Sequence, residues 1–330
     1  MLVIQQRNLM IKKAMTYTKP LKWEKKGLIF NPNKNDSLWI NHYAALPVCD
    51  LVSDDLLRIY FSTRDKKGRS MPTFIEVNPE LPSEVYKIHD KPILDFGKQG
   101  TFDDNGIMPS SVVNYNNKKY LYYIGWNPQV TVSYRLSIGL AISEDNGITF
   151  KKYSEGPLLD RDVNEPYFNT APYVVIENNI WKMWYVSCTG WKNINNWPEP
   201  YYLIRYAESH DGIHWERKNI DCIGYDDFTH AIGKPCVFKT NGVYRMIYSY
   251  RHSEGYRTES SKSYRLGYAE SKNGLNWIRQ DERFNFNKKV DGWESIMQEY
   301  SSTYEHRGIR YLIYNGNGFG ESGFGYAIIE

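Results

Sequence analysis

Acidic side chains recur in short polar segments of the sequence, each followed by an apolar run. The segment FDDNGIMPSS contains Asp103 and Asp104, and RDVNEPYFNTAP contains Glu165. If such segments converge, a protonated carboxyl group can serve a leaving oxygen while a carboxylate activates water or stabilises an oxocarbenium-like state. The pattern therefore indicates chemistry at a glycosidic bond, with Asp104 and Glu165 as candidate catalytic residues. Acids that only form turns and keep loops soluble are the competing interpretation.

Other polar and aromatic residues are candidates for substrate contact. Arginine offers a planar fork of donors for a carboxylate, a phosphate or sugar hydroxyls. Tryptophan offers a flat apolar face on which a sugar can stack. Structural pairing explains the arginines equally well, and packing explains the tryptophans. The candidates are Asn41, Arg64, Asp65, Asp103, Trp126, Trp191, Asp227, His230, Arg251, Glu299 and Asn317.

The chain contains an internal repeat that must position these residues. Tyrosines lie in register in five strand-like runs, at Tyr60, Tyr123, Tyr185, Tyr248 and Tyr314, with spacings of 63, 62, 63 and 66 residues. A second series of aromatic residues and a third series of Pro or Ser residues recur at similar spacing. Three registers that agree over the chain predict five structural units of about 63 residues.

Each unit is predicted to contain four short antiparallel strands. In the fourth unit, apolar runs are separated by Asn241-Gly242 and Asn273-Gly274, and Asn-Gly between alternating runs is a hairpin signal. No segment shows a capped 3.6-residue period. The sequence therefore predicts an all-β fold, a five-bladed β-propeller with four antiparallel strands per blade.

The two ends of the chain are predicted to complete one blade together. The fifth unit stops after its third strand, GFGYAIIE, and LKWEKKGLIF near the other end supplies a fourth. This N-terminal strand would close the last blade and hide a sheet edge. We expect one domain over residues 20–330 and an N-terminal extension over residues 1–19.

The loops differ between the two faces of such a fold. Turns between strands 1 and 2 and between strands 3 and 4 are short, including the related turns SEDNGITF, SHDGIHW and SKNGLNW. Loops between strands 2 and 3, such as SCTGWKNINNWPEPYY, and the crossovers between units are long and aromatic. Binding is usual on long loops of a rigid scaffold. We therefore expect the site at the channel mouth on the crossover face, and a scaffold role for the three turns.

Composition limits the classes of partner. The net charge is +3 from 41 basic and 38 acidic residues, so nucleic acid is not an expected partner. No apolar run approaches a membrane span, and four cysteines without metal-binding spacing predict neither a disulfide framework nor a metal site. A strand follows the GNGFGESGFG segment, which argues against dinucleotide binding. We expect a cytoplasmic protein without a cofactor that binds a carbohydrate or sugar conjugate.

The whole pattern resembles the five-bladed propeller clan of glycoside hydrolase families 32, 43, 68 and 130. Asp104 in FDDNGIMPSS falls where these families have the blade-2 acid, and Glu165 in NEPYFNTAP is similar to their blade-3 acid. Their blade-1 acid is replaced here by Asn41 and His42 in INHYAALP. The three turns resemble the Asp-box of sialidase-type propellers.

The missing blade-1 acid leaves several reactions open. The resemblance implies a glycosidase- or glycoside-phosphorylase-like enzyme. An inverting hydrolase would need another base, such as His42, Asp65 or Glu299. In a phosphorylase, phosphate itself attacks, and Arg64, Arg69 or Arg251 would hold it. The alternatives are a glycosyl-transferring factor in polysaccharide biosynthesis and a non-catalytic glycan-binding propeller.

Overall fold

The structure is a computed structural model that describes residues 20–34, 39–40, 42–286 and 291–329. The predicted extension over residues 1–19 lies outside the described residues. The described chain is dominated by strands because alternating apolar and aromatic runs are separated by Asn, Gly and Pro turns. A one-turn helix, Asp281–Phe284, and a turn over Asn317–Gly320, in which Gly318 and Phe319 are left-handed, lie between strands of the later units.

The strands are given in chain order: β1 (Trp23–Phe30), β2 (Ala45–Ser53), β3 (Leu56–Arg64), β4 (Ser70–Val77), β5 (Val85–Ile88), β6 (Ile107–Tyr115), β7 (Lys118–Pro128), β8 (Tyr134–Ser143), β9 (Lys151–Lys152), β10 (Asn169–Glu177), β11 (Ile180–Ile194), β12 (Trp197–Ser209), β13 (Glu216–Ile223), β14 (Thr229–Thr240), β15 (Val243–His252), β16 (Arg265–Ser271), β17 (Trp277–Arg279), β18 (Glu299–His306), β19 (Ile309–Asn315) and β20 (Phe324–Ile329). Three-residue 3-10 helices occupy Pro32–Lys34, Ser260–Lys262 and Gly292–Glu294.

Neighbouring strands pair antiparallel in groups of four. Unit 1 contains β2–β5, unit 2 contains β6–β9, unit 3 contains β10–β13 and unit 4 contains β14–β17. Unit 5 contains β18–β20 and β1. Units 3 and 4 are joined by one parallel bridge, between Tyr202 and Ala231. The all-β prediction and the four-stranded antiparallel sheets are confirmed.

The N-terminal strand pairs with the last strand of the chain. The register of β1 against β20 runs from Trp23 opposite Ile329 to Phe30 opposite Phe324. The Trp23 ring also packs at 5.0 Å from Phe284, edge to face. The strand that the sequence analysis found missing from the fifth unit is therefore supplied by the other end of the chain.

The core lies between neighbouring units. Tyr60 and Phe74 of unit 1 share a buried cluster with Leu121 and Tyr123 of unit 2. A similar cluster joins unit 5 to unit 1. First strands of successive units contact one another, and β18 contacts β2. The tyrosines of the predicted register are all fully buried, because each packs between neighbouring units and so fixes their spacing. They are Tyr60, Tyr123, Tyr185, Tyr248 and Tyr314.

The three short turns between third and fourth strands fasten one unit to the next. Asp211 accepts hydrogen bonds from the backbone N–H groups of Ile213 and His214, both at 2.8 Å. Gly212 has a φ of 75°, and its carbonyl accepts the Tyr122 hydroxyl of the preceding unit at 2.7 Å. The equivalent contacts are from Tyr60 to Gly147 and from Trp184 to Gly274. These contacts give the turns a scaffold function.

Each first strand has a β-bulge near its beginning. In four units a residue other than glycine takes a left-handed conformation there: Leu46 (φ 54°), Ala171 (46°), Lys234 (49°) and Tyr300 (52°). The equivalent residue of unit 2 is Pro109, whose ring excludes positive φ. Bulges next to functional sites re-aim side chains, and strained backbone there persists only where its surroundings enforce it.

The predicted long loop between the second and third strands of unit 3 is instead an extended hairpin. Strand β11 continues to Ile194 and β12 begins at Trp197. Asn195 and Asn196 form the two-residue turn with φ of 52° and 62°. Asparagine tolerates positive φ, so two consecutive asparagines permit a tight turn where a long loop was expected.

Candidate functional site

A cavity of about 420 Å³ opens where the first strands begin, which is the crossover side. The turns that carry Gly147, Gly212 and Gly274 follow the third strands and lie at the other end of the units. Every first strand contributes to the lining, through Ala45, Leu46, Met108, Thr170, Ala171, Gly233, Lys234 and Tyr300. The residues at or beside the bulges therefore form the bottom of the cavity.

Aromatic side chains form much of the cavity wall. Trp126 packs on Tyr134 with ring centroids 4.4 Å apart, and the Tyr134 ring in turn packs on Phe168 with centroids 5.8 Å apart. The Tyr202 hydroxyl lies 2.7 Å from that of Tyr264. The aromatic lining residues are Tyr43, Trp126, Tyr134, Phe168, Tyr202, Tyr256, Tyr264, Tyr300 and Phe319. Such walls suit the apolar faces of sugar rings.

The charged lining is basic. Arg64, Lys234, Arg251 and Arg257 line the cavity, and no Asp or Glu belongs to the lining among the described residues. The acid-rich crossovers predicted converging carboxylates at this position. The structure instead brings together cations and aromatic rings, with the acids set back in the surrounding protein.

Glu299 is the predicted site acid that lies beside the bottom of the cavity. It occupies the position equivalent to Ala45, Met108, Thr170 and Gly233, all of which line the cavity, and it precedes the lining residue Tyr300. Its side chain is fully buried, and neither carboxyl oxygen has a hydrogen-bond partner within 3.5 Å among the described residues.

Burial governs the protonation of Glu299. It raises the pKa of the Glu299 carboxyl well above its usual value, against the opposing influence of Tyr300 and of the Arg251 charge. The carboxyl therefore holds its proton at pH values where an exposed glutamate is ionised. A buried carboxyl group that keeps its proton can act as a proton donor.

Arg251 is held rigidly in the wall. Its guanidinium lies 3.3 Å from Glu199, stacks 3.7 Å from the Tyr256 ring centroid and donates to the Tyr264 hydroxyl at 3.1 Å. The predicted contact residues Arg64, Trp126 and Arg251 thus meet in one cavity.

The predicted acids of unit 2 lie outside the cavity lining. Asp103 is buried, accepts the Tyr123 hydroxyl at 2.9 Å and lies 2.6 Å from Lys152. Asp104 accepts the backbone N–H of Gly100 at 2.7 Å and the Asn127 amide at 2.6 Å. Both acids hold the crossover into unit 2 in place.

Glu165 also lies outside the lining and is bound within unit 3. It accepts the Tyr185 hydroxyl at 2.6 Å and the Ser187 hydroxyl at 2.7 Å. The pairing of a register tyrosine with an acid recurs in units 2 to 5, as Tyr123 with Asp103, Tyr185 with Glu165, Tyr248 with Asp281 and Tyr314 with Glu294. A recurring contact of this kind points to a structural task for Glu165.

The remaining polar candidates form local contacts or face solvent. Asp65 pairs with Arg69 at 2.8 Å. Asn317 accepts the backbone N–H groups of Ile296 and Met297, at 2.7 and 3.0 Å. None of these residues lines the cavity of the described chain.

The histidine candidates and the acid beside one of them lie outside the lining. His42 is exposed, and its carbonyl accepts the backbone N–H of Arg64 at 3.1 Å. His230 lies 3.3 Å from Ser253, and Asp227 is exposed. Asn41 lies outside the described residues.

Trp191 stands behind the aromatic wall. It packs on Tyr134 at 5.3 Å and on Phe168 at 5.8 Å, and it faces a side cavity of about 300 Å³. The two cavities share Tyr134 and Phe168 in their linings. Trp191 therefore supports the wall and does not face the main cavity.

Several lining residues were missed by the sequence analysis. Lys234 is the clearest case, because it stands directly before the recurrent Pro235, where other units have Leu46, Ala171 or Tyr300. A lysine at this position of the repeat was therefore a signal in the sequence that could have identified Lys234 as a cavity residue. Tyr134 begins a third strand, Tyr202 lies within one and Tyr264 precedes one, and only the folded chain brings them to one wall.

Among the described residues, no group of three or more His, Cys, Asp and Glu is arranged to hold a metal ion. No helix of the described segments is long and apolar enough to cross a membrane.

The fold is shared with solved structures of low sequence identity. One described as a glycoside hydrolase has a TM-score of 0.71 at 17% identity, covering 98% of this chain and 94% of that chain. A thermostable family-43 glycoside hydrolase has a TM-score of 0.61 at 18% identity, covering 91% of both chains. A structure from the GH130 family of mannoside phosphorylases and glycoside hydrolases has a TM-score of 0.66 at 15% identity, covering 95% of both chains. The four-stranded antiparallel sheets are thus arranged as in these solved structures.

Sequence similarity is higher to two mycobacterial proteins, whereas no protein-family model matches the chain. The chain is 37% identical over 311 residues to Uncharacterized protein MT1551 of Mycobacterium tuberculosis strain CDC 1551, covering 93% of this chain and 99% of the relative. Uncharacterized protein Rv1502 of strain H37Rv matches with the same identity and coverage. The chain belongs to the family of these two mycobacterial proteins.

Proposed function

We propose that this protein is a carbohydrate-active enzyme, glycosidase- or glycoside-phosphorylase-like, that acts on a glycan or sugar conjugate in the cavity of about 420 Å³. The observation that carries the proposal is the cavity wall of nine aromatic side chains at the crossover end of the first strands. The fold likeness to glycoside hydrolases and to the GH130 structure supports it.

The proposal includes the architecture around the cavity. The five units are the blades of a closed propeller, with β1 completing the last blade, and residues 20–330 form one domain. Contacts between successive first strands, and from β18 back to β2, support this arrangement. Closure places the cavity at the axis, where all first strands reach it.

Glu299 is the proposed general acid. A carboxyl group that keeps its proton can pass it to the leaving oxygen of a glycosidic bond. Thr170, whose buried hydroxyl has no partner among the described residues, lines the same cavity and is placed to hydrogen-bond a sugar hydroxyl. Arg64 and Arg251 are the proposed binding residues, and Trp126 the stacking platform.

A non-catalytic glycan-binding propeller is the second candidate. The absence of Asp and Glu from the described cavity lining favours it, because hydrolysis needs a carboxylate that can reach water at the reacting carbon. In that case the aromatic wall binds a glycan and Glu299 is a buried structural acid.

Turnover and binding measured together separate the two candidates. The purified protein is screened against oligosaccharides, nucleotide sugars and sugar phosphates, with and without inorganic phosphate. For the substrate found, Glu299→Gln is expected to lower kcat by about 10²–10⁴-fold while binding is retained. Glu305→Gln, an exposed acid of the same strand, is the matched control. Binding without turnover by the wild type would support the glycan-binding module, and full activity of Glu299→Gln would remove Glu299 from the mechanism.

A further inference from the structure

The cationic residues of the cavity are not balanced by acids. Arg251 and Arg257 lie 3.3 and 3.7 Å from one carboxylate, that of Glu199. One acid thus serves two arginines, which leaves a surplus of positive charge on this side of the cavity. Arg64 and Lys234 add two further cations to the lining.

Arg64 has a guanidinium that pairs with no acid of the described residues. It stacks on the Tyr43 ring at 3.8 Å from the ring centroid, and no carboxylate lies within 4.0 Å among the described residues. Its side-chain N–H groups also make no hydrogen bond within that part of the chain. Stacking fixes the plane of the guanidinium while its edge stays free for a ligand.

Lys234 is a buried ammonium group without a counter-ion among the described residues. Its side chain crosses from unit 4 to the Ser110 carbonyl of unit 2, a hydrogen bond of 2.9 Å. An ammonium group has three donors, and the described residues offer no acid within 4.0 Å. Burial lowers the pKa of Lys234 to about 8, since no anion compensates the desolvated charge.

An unpaired cation at the bottom of a cavity is costly unless a ligand supplies the opposite charge. The electrostatic cost of Lys234 is understandable if the residue serves binding.

We infer that the cavity binds an oxyanion, a phosphate or a carboxylate group, between Arg64 and Lys234. The inference rests on the proposed function, because it adds an anionic group to the sugar that the aromatic wall receives. The substrate class is then a sugar phosphate, a nucleotide sugar or a uronic acid, unless the oxyanion is free phosphate that takes part in the reaction. Among the described lining residues, no acid opposes a negative charge.

Isothermal titration calorimetry with four probes tests the inference: inorganic phosphate, glucose 6-phosphate, glucuronate and glucose. At least one oxyanion is expected to bind more tightly than glucose. The sugar-linked probes binding more tightly than inorganic phosphate would assign the oxyanion to the substrate, and the reverse order would assign it to free phosphate.

Two variants locate the oxyanion. Arg64→Gln is expected to weaken oxyanion binding by at least about tenfold, as the loss of a charged hydrogen bond would. Lys234→Met is expected to weaken it as well, with the fold verified by circular dichroism. Arg69→Gln is the matched control, because Arg69 is paired with Asp65 and stacked on Phe96, away from the cavity lining.

The outcomes also distinguish this inference from the proposed function. Equal binding of glucose and all three anions, or unchanged anion binding by Arg64→Gln, would overturn the oxyanion site. Turnover of a neutral glycan in that case would leave the proposed function intact. Oxyanion binding that Arg64→Gln weakens, without any glycosyl turnover, would support the site and overturn the enzymatic function.

Discussion

The buried acids of this protein fall into two kinds according to their hydrogen bonds. Asp103 and Glu165 accept hydroxyl groups of register tyrosines and hold strands together. Glu299 is equally buried, but its carboxyl oxygens accept no hydrogen bond from the described residues. Hydrogen bonds stabilise an ionised carboxylate, and burial without them stabilises the protonated form. Residue type alone therefore did not separate a structural acid from a candidate proton donor.

Because Glu299 is buried with its proton, the stability of the wild type relative to Glu299→Gln is expected to depend on pH. The folded chain keeps the Glu299 proton above the unfolded pKa of about 4.3, so folded protein binds one more proton than unfolded protein. The free energy of unfolding of the wild type then falls as pH rises above that value, relative to Glu299→Gln. The difference grows by up to about 1.4 kcal/mol per pH unit.

Urea denaturation between pH 4 and pH 8 measures this difference. Glu305→Gln, in which the altered side chain is exposed in the wild type, provides the comparison. Parallel stability curves for the wild type and Glu299→Gln would show that Glu299 is ionised in the folded chain.

At the scale of secondary structure, the bulges and the turns have opposite tasks. The bulges at the beginning of the first strands direct residues such as Lys234 and Tyr300 into the cavity. The turns after the third strands carry glycines whose carbonyls bind the preceding unit, as Gly212 binds Tyr122. The first-strand end of the units thus lines the cavity, and the turns at the opposite end of units 2 to 4 contact the preceding unit.

Gly212→Val is expected to destabilise the protein and leave the site intact. A Cβ atom at Gly212 would lie 2.8 Å from both Trp181 Cε3 and the Tyr122 hydroxyl, and φ is 75°. Strain and overpacking together are expected to cost about 2–4 kcal/mol. Thermal denaturation measures the loss, and ligand affinity per folded molecule should stay at the wild-type value.

Gly224→Val is the control from the same unit, because a Cβ atom there meets nothing within 4 Å and φ is not in the left-handed region. Equal melting temperatures of the two variants would contradict a scaffold role for the turn. Loss of affinity in folded Gly212→Val would place the turn in the binding machinery.

At the scale of the whole molecule, the two ends of the chain meet in one sheet. Strand β1 covers β20 and buries Ile29 and Phe30 in the cluster shared by units 5 and 1. Without β1, the edge of β20 would be open to pairing with other chains. The proposed closed propeller depends on this strand.

Truncation tests the dependence and the proposed domain boundary together. Removal of residues 1–19 is expected to leave the melting temperature and the oligomeric state unchanged. Removal of residues 1–31 is expected to cost about 3–6 kcal/mol, the value of two large buried apolar side chains, and to cause association. Differential scanning calorimetry and size-exclusion chromatography measure both effects. Equal behaviour of the two truncated chains would contradict closure by β1.

The fold was largely determined by local sequence patterns. The spacing of Tyr60, Tyr123 and their equivalents predicted the repeated unit, because each tyrosine fills the same place between neighbouring sheets. The unpaired third strand at the end of the chain predicted a partner near Trp23, which β1 supplies. The alternation of apolar and polar residues and the length of the repeat are properties of the linear sequence. Both can therefore be recognised without the tertiary structure.

The site was decided by tertiary structure. Asp104 and Glu165 have the residue types for catalysis, yet their carboxylates are taken up by contacts within their own units. Arg64 of unit 1 meets Lys234 and Tyr264 of unit 4 only when the first strands converge. Sequence determined which residues are available for chemistry. Only packing decided which of them are hydrogen-bonded within the protein and which line the cavity, because burial and partners arise between distant parts of the chain.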